Sequence, residues 1–261
     1  MKIFATINQP DEIVRFPAAP AGFAIIGLPR SGTTYLSTFL HSHPQIYCSG
    51  EEFNPYAVVA PSGRDERHET ILRRDRAPTA YLDRFFEKAA EPEITHQGFK
   101  LMLGHNLEAL EYVAAHPELK IIYLWRDNRL AQAASMILAE KTKHWARLKF
   151  KPKTVTKIAA SPRDISRRWH ENAAQDFLFA QWLNSLPNAR LVLEYRELFL
   201  PALNNRLCRF LNVDPFAPMS SPLRRQGPED VLDRFEDPRP IKYYFTEIGR
   251  GDWLAPELMG C

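Results

Sequence analysis

The stretch FAIIGLPRSGTTYLSTFL, residues 23–40, decides the fold. An apolar run that reads as a buried strand meets a turn bracketed by Gly27 and Gly32, and a helical pattern follows. Strand, glycine turn and helix in that order build a phosphate loop. The first turn of the helix presents unpaired N–H groups and a positive dipole end to an anion. The two glycines keep the spacing of the nucleotide-triphosphatase loop G-x-x-x-x-G-K-[ST], yet the lysine position holds Thr33. Arg30 stands inside the turn instead, a fixed charge with a forked donor set, and Ser31, Thr33 and Thr34 add hydroxyls. Such a loop suits a phosphate–sulfate or phosphate–phosphate unit. Loss of the lysine that bridges the outer phosphates argues against a kinase or triphosphatase.

Outward from the loop, GFAIIGL (22–28), KIIYLW (120–125) and RLVLEY (190–195) read as buried parallel strands, each followed by a helical pattern. HQGFKLML (96–103) is a fourth, and the helix after it is expected to bury Leu107, Leu110, Val113 and Ala114 on one face. Longer amphipathic stretches run from about Ala80 to Ala90 and from about Ser166 to Leu186. Six of the 21 prolines fall between Pro215 and Pro240, which excludes regular sheet or helix there. The expectation is one α/β domain over 1–261, with a core of about 22–212 and an ordered, irregular tail, 213–261, wrapping over it.

Composition narrows the class. A chain of 261 residues with 45% hydrophobic and 25% charged residues is ordinary for a soluble globular protein, and a net charge of +3 makes no case for nucleic acid. The stretch MKIFATINQPDEIVRFP lacks the apolar core of a signal peptide, and no apolar run approaches the roughly 20 residues that span a bilayer. Cys48, Cys208 and Cys261 have no metal-ligand spacing and read as reduced thiols. A cytoplasmic protein without a metal is expected.

The run PRSGTT (29–34) resembles the 5′-phosphosulfate loop of the sulfotransferases, which transfer a sulfuryl group from 3′-phosphoadenosine 5′-phosphosulfate. In the cytosolic branch the arginine position is usually lysine; the version here is similar to that of the bacterial carbohydrate and tyrosylprotein sulfotransferases. The resemblance implies a P-loop nucleotide-kinase-like, three-layer fold with a central parallel sheet flanked by helices. A second motif, IIYLWRDNRLAQAASMILA (121–139), resembles the family's 3′-phosphate site, with Arg126 at a strand end and Ser135 in the next helix. Arginine offers a phosphate a bidentate contact and the serine a second donor. LEYREL (193–198) resembles the strand end whose tyrosine lies near the adenine, which implies Tyr195. GRGDWL (249–254) resembles the late glycine-rich loop that closes on the 3′-phosphate, which implies Arg250.

Sulfuryl transfer needs a base for the acceptor hydroxyl and cations for charge on the departing oxygen. HSHPQIYCSGEEFNP (41–55) resembles the segment that carries the catalytic glutamate in the bacterial and tyrosylprotein branches. The ungapped spacing from Arg30 selects Glu51, with Glu52 as the competitor one residue away. Cytosolic members take their base from a Lys-x-His segment; here GFKLMLGH (98–105) keeps Lys100 but has Met102 at the histidine position. Lys100 is then a contact for the bridging oxygen or the acceptor, and His105 a fallback base. His41 and His43 are expected to end the first helix.

The acceptor is expected to be a glycan or glycolipid hydroxyl, with a small phenol or a peptide as alternatives. From Lys141 to Arg163 no acid interrupts a basic run, which suits steering of an anion. GRDERHETILRRDRAP (63–78) mixes signs and reads as a mobile polar insertion near the acceptor cleft. The competing functions are a P-loop kinase or triphosphatase and a non-catalytic nucleotide-binding adaptor. The first expects an acidic strand end for magnesium where this chain has Trp125-Arg126.

Overall fold

The computed structural model describes residues 20–87, 90–91, 93–146, 148, 156–224 and 227–258. The N-terminal stretch read for a signal peptide, Arg147, Lys149, Lys151 and Lys153 of the basic run, and Cys261 lie outside them.

Four buried runs, three of them mainly apolar and one that includes His96, Gln97 and Lys100, form strands covered on both faces. They are β1 (Ala21–Gly27), β5 (His96–Met102), β6 (Lys120–Trp125) and β7 (Arg190–Glu194), joined by the short β2 (Ile46–Cys48). All pairings are parallel, and the order is β2-β5-β1-β6-β7. Alternate residues of β1 face opposite layers. Phe23 and Ile25 join a core with α1 (Thr33–His41) and α7 (Leu203–Leu211), through Leu36, Leu40, Leu207 and Leu211. Ala24 and Ile26 join the other core, with Phe99, Leu101 and Tyr123, under α3 (Pro78–Glu87), α4 (Leu107–Ala115) and α6 (Pro162–Ser185). The fold is therefore the expected three-layer α/β fold around a parallel sheet.

Strand β1 pairs with β5 on one side and β6 on the other. Connections at its carboxyl end diverge to opposite faces, and such a reversal opens a crevice where ligands bind. The chain leaves β1 through a turn that only special backbone geometry allows. A Cβ on Gly27 would stand 2.5 Å from the Leu124 carbonyl oxygen. Arg30 takes φ 66° and Gly32 φ 99°, both left-handed, so the chain doubles back twice before α1 begins.

Three expectations are corrected. The face of α4 that is buried consists of Ala109, Tyr112 and Val113, while Leu107 is 69% exposed. Residues 63–78 are an ordered piece: β4 (Gly63–Asp65) pairs with β3 (Val58–Ala60), and α2 (His68–Arg76) follows. The proline-rich segment is not wholly irregular, since α8 (Arg239–Glu247) carries Pro240 in its first turn, where a missing N–H costs nothing. Together with α5 (Arg129–Thr142), α6 and the 3₁₀ turn at Gly251–Leu254, α8 encloses a third core around Phe235, Phe245 and Trp253. None of the described helices is long and apolar enough to cross a membrane.

Gly32→Ala should destabilise the protein, because its new Cβ would meet Leu198 Cδ1 at 2.6 Å in a conformation L-residues avoid. A strained left-handed residue costs about 1–3 kcal/mol, so the urea midpoint should fall with an unchanged slope. An unaltered midpoint would show that the turn relaxes freely.

Candidate active site

Hydrogen bonds from three directions hold the turn after β1. Ser31 Oγ donates to the Leu28 carbonyl at 2.7 Å, Gln132 Nε2 of α5 donates to the Pro29 carbonyl at 2.9 Å, and Arg126 Nη1 donates to the Arg30 carbonyl at 3.0 Å. These three carbonyls are thereby paired within the fold, and the N–H groups of the first turn of α1 have no partner within the helix. Ser31 is fully buried and its hydroxyl is spent on this bracing, so it does not reach the cavity as the sequence reading expected.

Nine of the expected residues line one cavity of about 140 Å³: Arg30, Gly32, Thr33, Thr34, Glu51, Lys100, Arg126, Ser135 and Tyr195. Arg30 Nε donates to Ser135 Oγ at 3.0 Å and Nη1 donates to the Trp145 carbonyl at 2.5 Å. Burial and the nearby Arg126 pull Arg30 down to about 10, which still leaves it charged at neutral pH. Arg126 is buried at the end of β6, with its guanidinium carbon 4.0 Å from the centroid of the Tyr195 ring. Arg126 also forms an ion pair with Glu257. Burial favours its neutral form, but Glu257 outweighs that and holds its pKa above the ordinary value.

Lys100 links the loop to the acidic segment. Its Nζ donates to Thr34 Oγ1 at 2.8 Å and lies 2.5 Å from Glu51 Oε1. Asn54 Nδ2 donates to the other Glu51 oxygen at 2.5 Å. Burial pushes the Glu51 carboxyl up, but Lys100 and these hydrogen bonds prevail and hold it below its ordinary value. Glu52 has a different fate. It is buried, accepts hydrogen bonds from Ser49 Oγ and from Tyr81 at 2.5 Å, and burial raises its pKa despite them. Glu52 does not line the cavity, so two adjacent acids with identical chemistry are separated by packing alone.

The loop carrying both acids is fixed by a residue the sequence reading missed. Buried Arg74 of α2 donates from Nη1 to the carbonyls of Glu52, Asn54 and Ala57 at 2.8, 2.9 and 3.2 Å. Its signal in the sequence is the mixed-sign segment 63–78, which forms β4 and α2. Arg224 and Arg234, from the proline-rich segment, also line the cavity; no sequence pattern pointed to them. Arg250 is not brought to the site: it packs 3.8 Å over the Trp253 ring and does not line the cavity.

Thr34, Glu51, Lys100 and Met102 form the common wall with an open cleft of about 1300 Å³. Trp145 lines both as well; Tyr56, Val59 and Met136 help make the cleft largely apolar, and His105 also lines it with its pKa lowered by burial. His41 does end α1; His43 lies beyond it, with Nε2 2.9 Å from the Asp214 carbonyl. Among the described residues no group of three or more His, Cys, Asp or Glu side chains could hold a metal ion.

A family profile described as "Sulfotransferase family" matches residues 22–218. A Nodulation protein H from Rhizobium tropici is 31% identical over 186 residues, covering 70% of this chain and 71% of that protein. Another, from Rhizobium meliloti strain 1021, is 32% identical over 135 residues, and there the alignment spans only 52% of the relative's length. The solved sulfotransferase from Alicyclobacillus acidocaldarius shares the fold, with a TM-score of 0.50 at 20% identity, over 90% of this chain and 95% of that one. The chain belongs to the sulfotransferase family, and is by that membership an enzyme of the sulfuryl-transfer class.

Carbon-13 titration of glutamate carboxyls checks the electrostatics. Glu51 should titrate below its ordinary value in the native protein. In Lys100→Met burial is no longer opposed by the ammonium, and the same resonance should titrate higher. The sign for stability follows: a depressed native pKa gives stabilisation that is complete above the unfolded value and lost as pH falls through the native one. An unmoved Glu51 resonance in the variant would remove Lys100 as the cause.

Proposed function

We propose that the chain transfers a sulfuryl group from 3′-phosphoadenosine 5′-phosphosulfate to a hydroxyl of a carbohydrate or glycolipid, with Glu51 as the general base. The observation that carries this reading is that Arg30, Lys100, Arg126, Thr34 and Ser135 converge on one cavity that meets an apolar cleft at Glu51. A donor with two anionic ends fits such an arrangement. The amides opening α1, with Arg30 and Thr34, would hold the phosphosulfate, and Arg126 with Ser135 the 3′-phosphate. Tyr195, between them, would take the adenine side. Arg224 and Arg234 extend the same cationic wall.

The donor supplies an activated sulfuryl group. The chain's residues must do the rest: take the proton from the acceptor oxygen, and meet the negative charge that grows on the departing phosphate oxygen. Glu51 suits the first task because its carboxylate stands on the wall between cavity and cleft. A carboxylate paired with Lys100 is a weak base. An anion entering beside Thr34 would compete for that ammonium and leave Glu51 more basic, so donor binding and base strength are coupled through one side chain. Lys100 and Arg30 suit the second task, as fixed cations that need little rearrangement when charge develops. The cleft, with Tyr56 and Trp145 exposed among apolar side chains, supports an acceptor with a stacking sugar face. The chain is read as a single domain of cytoplasmic location.

Two measurements test the reading. Arg126→Ala should weaken 3′-phosphoadenosine 5′-phosphate about 10- to 150-fold, the worth of one charged hydrogen bond, while adenosine 5′-phosphosulfate is hardly affected. Equal losses for both nucleotides would remove Arg126 as the 3′-phosphate ligand. ATP with magnesium serves as the control for the kinase alternative. Glu51→Gln should keep donor binding and lower turnover by about 100- to 10,000-fold. Glu52→Gln should instead lower the melting temperature, with turnover per folded molecule retained. Normal turnover in Glu51→Gln would end the carboxylate-base reading.

A further inference from the structure

Arg126 already holds an anion that belongs to the chain itself. Its Nε donates to Oε1 of Glu257 at 2.6 Å and its Nη2 donates to Oε2, a bidentate pair in which both side chains are almost fully buried. Nη1 is engaged by the Arg30 carbonyl and the Tyr195 ring covers one face. The forked edge of the guanidinium is the part that matches a phosphate, and that edge is taken. A phosphate cannot reach it while Glu257 stays.

We propose that Glu257 is an internal stand-in for the donor's 3′-phosphate: its carboxylate occupies Arg126 until the phosphate displaces it, and this exchange sets donor affinity. The inference rests on the reading of Arg126 as the 3′-phosphate ligand. Two further features support it. Exchange of one anion for another keeps the buried guanidinium compensated, whereas simple loss of Glu257 would leave its charge alone. Freedom to move is confined to a short piece. Trp253 is anchored, with its carbonyl accepting from Asn128 Nδ2 at 2.9 Å and its ring edge-on to Trp169 at 4.9 Å, but residues 255–258 have no helix or strand.

Calorimetry with 3′-phosphoadenosine 5′-phosphate and adenosine 5′-phosphosulfate, on the unaltered protein and on Glu257→Gln and Arg126→Ala, tests the proposal. Glu257→Gln should tighten the first nucleotide about tenfold, because the competent state no longer has to be won from an ion pair. The second nucleotide, without a 3′-phosphate, should change far less. If Glu257 instead aligns Arg126 for the phosphate, the same substitution will weaken the first nucleotide and overturn the proposal. Should Arg126→Ala discriminate between the nucleotides while Glu257→Gln leaves both unchanged, the stand-in fails and the phosphate site stands. Equal losses in Arg126→Ala would remove the phosphate site and the stand-in with it. Hydrogen exchange of the unaltered protein needs no variant: saturating 3′-phosphoadenosine 5′-phosphate should speed exchange across residues 254–258 and slow it across 30–36. Slower exchange at 254–258 would mean that the segment closes on the nucleotide, contrary to the proposal.

Discussion

The crowding of like charge around one cavity governs the rest of this structure. Arg30, Lys100, Arg126, Arg224 and Arg234 all line it. Cations brought this close in a partly dry space repel one another, and the lowered pKa of Arg30 registers both its burial and the presence of Arg126. Such a cluster persists only where the fold forces it and where anions are at hand. The force comes from sheet topology, which sends the turn after β1 and the end of β6 to the same crevice. The anions are Glu51 on Lys100 and Glu257 on Arg126. Glu51 lines the cavity itself, while Glu257 is buried beside Arg126 and does not line it.

The turn itself depends on the same crowding. Arg30 adopts a left-handed backbone that costs a residue with a side chain some strain. Its carbonyl is held by Arg126 and its side chain by Ser135 and the Trp145 carbonyl, so the strained residue is fixed at both ends. Gln132 reaches the Pro29 carbonyl from α5, and Arg129 beside it forms a buried ion pair with Asp176 at 2.5 Å. The motif at 126–135 thus serves two purposes: it offers an arginine and a serine to the cavity, and it clamps the phosphate loop from behind.

Much of this was legible in the sequence, for definite reasons. Strands β1, β5, β6 and β7 fall within a residue or so of the runs 22–28, 96–103, 120–125 and 190–195, because strands covered on both faces leave mainly apolar traces, even with His96, Gln97 and Lys100 in β5. Strands of three residues, such as β2, β3 and β4, leave none. The spacing from Arg30 selected Glu51, the acid that lines the cavity, but what holds Glu52 away was not readable, since Ser49 and Tyr81 lie 3 and 29 positions from it. Glu257 was invisible for the same reason at a separation of 131. The Gly-Asp-Trp echo at 251–253 misled because those residues form a 3₁₀ turn that buries Trp253 in the third core and keeps Arg250 on its ring.

The site has a direction, and Glu51 marks it. On one side of its carboxylate stand arginines and the start of α1; on the other, a largely apolar cleft with exposed Tyr56, and Trp145 lines both. An anionic donor would find most of its cations on the first side, although Arg64 and Lys143 also line the cleft among its apolar side chains. Lys100 stands on the boundary with Thr34, touching the loop and the carboxylate at once. Removing it would alter both compartments together, whereas the Arg74 anchor, whose Nη1 holds the carbonyls of residues 52, 54 and 57 while its Nε pairs with Asp75, governs where the carboxylate stands and not how basic it is. Position and basicity of the proposed base are therefore set by two different cations, and substitutions at each should separate into geometric and electrostatic effects.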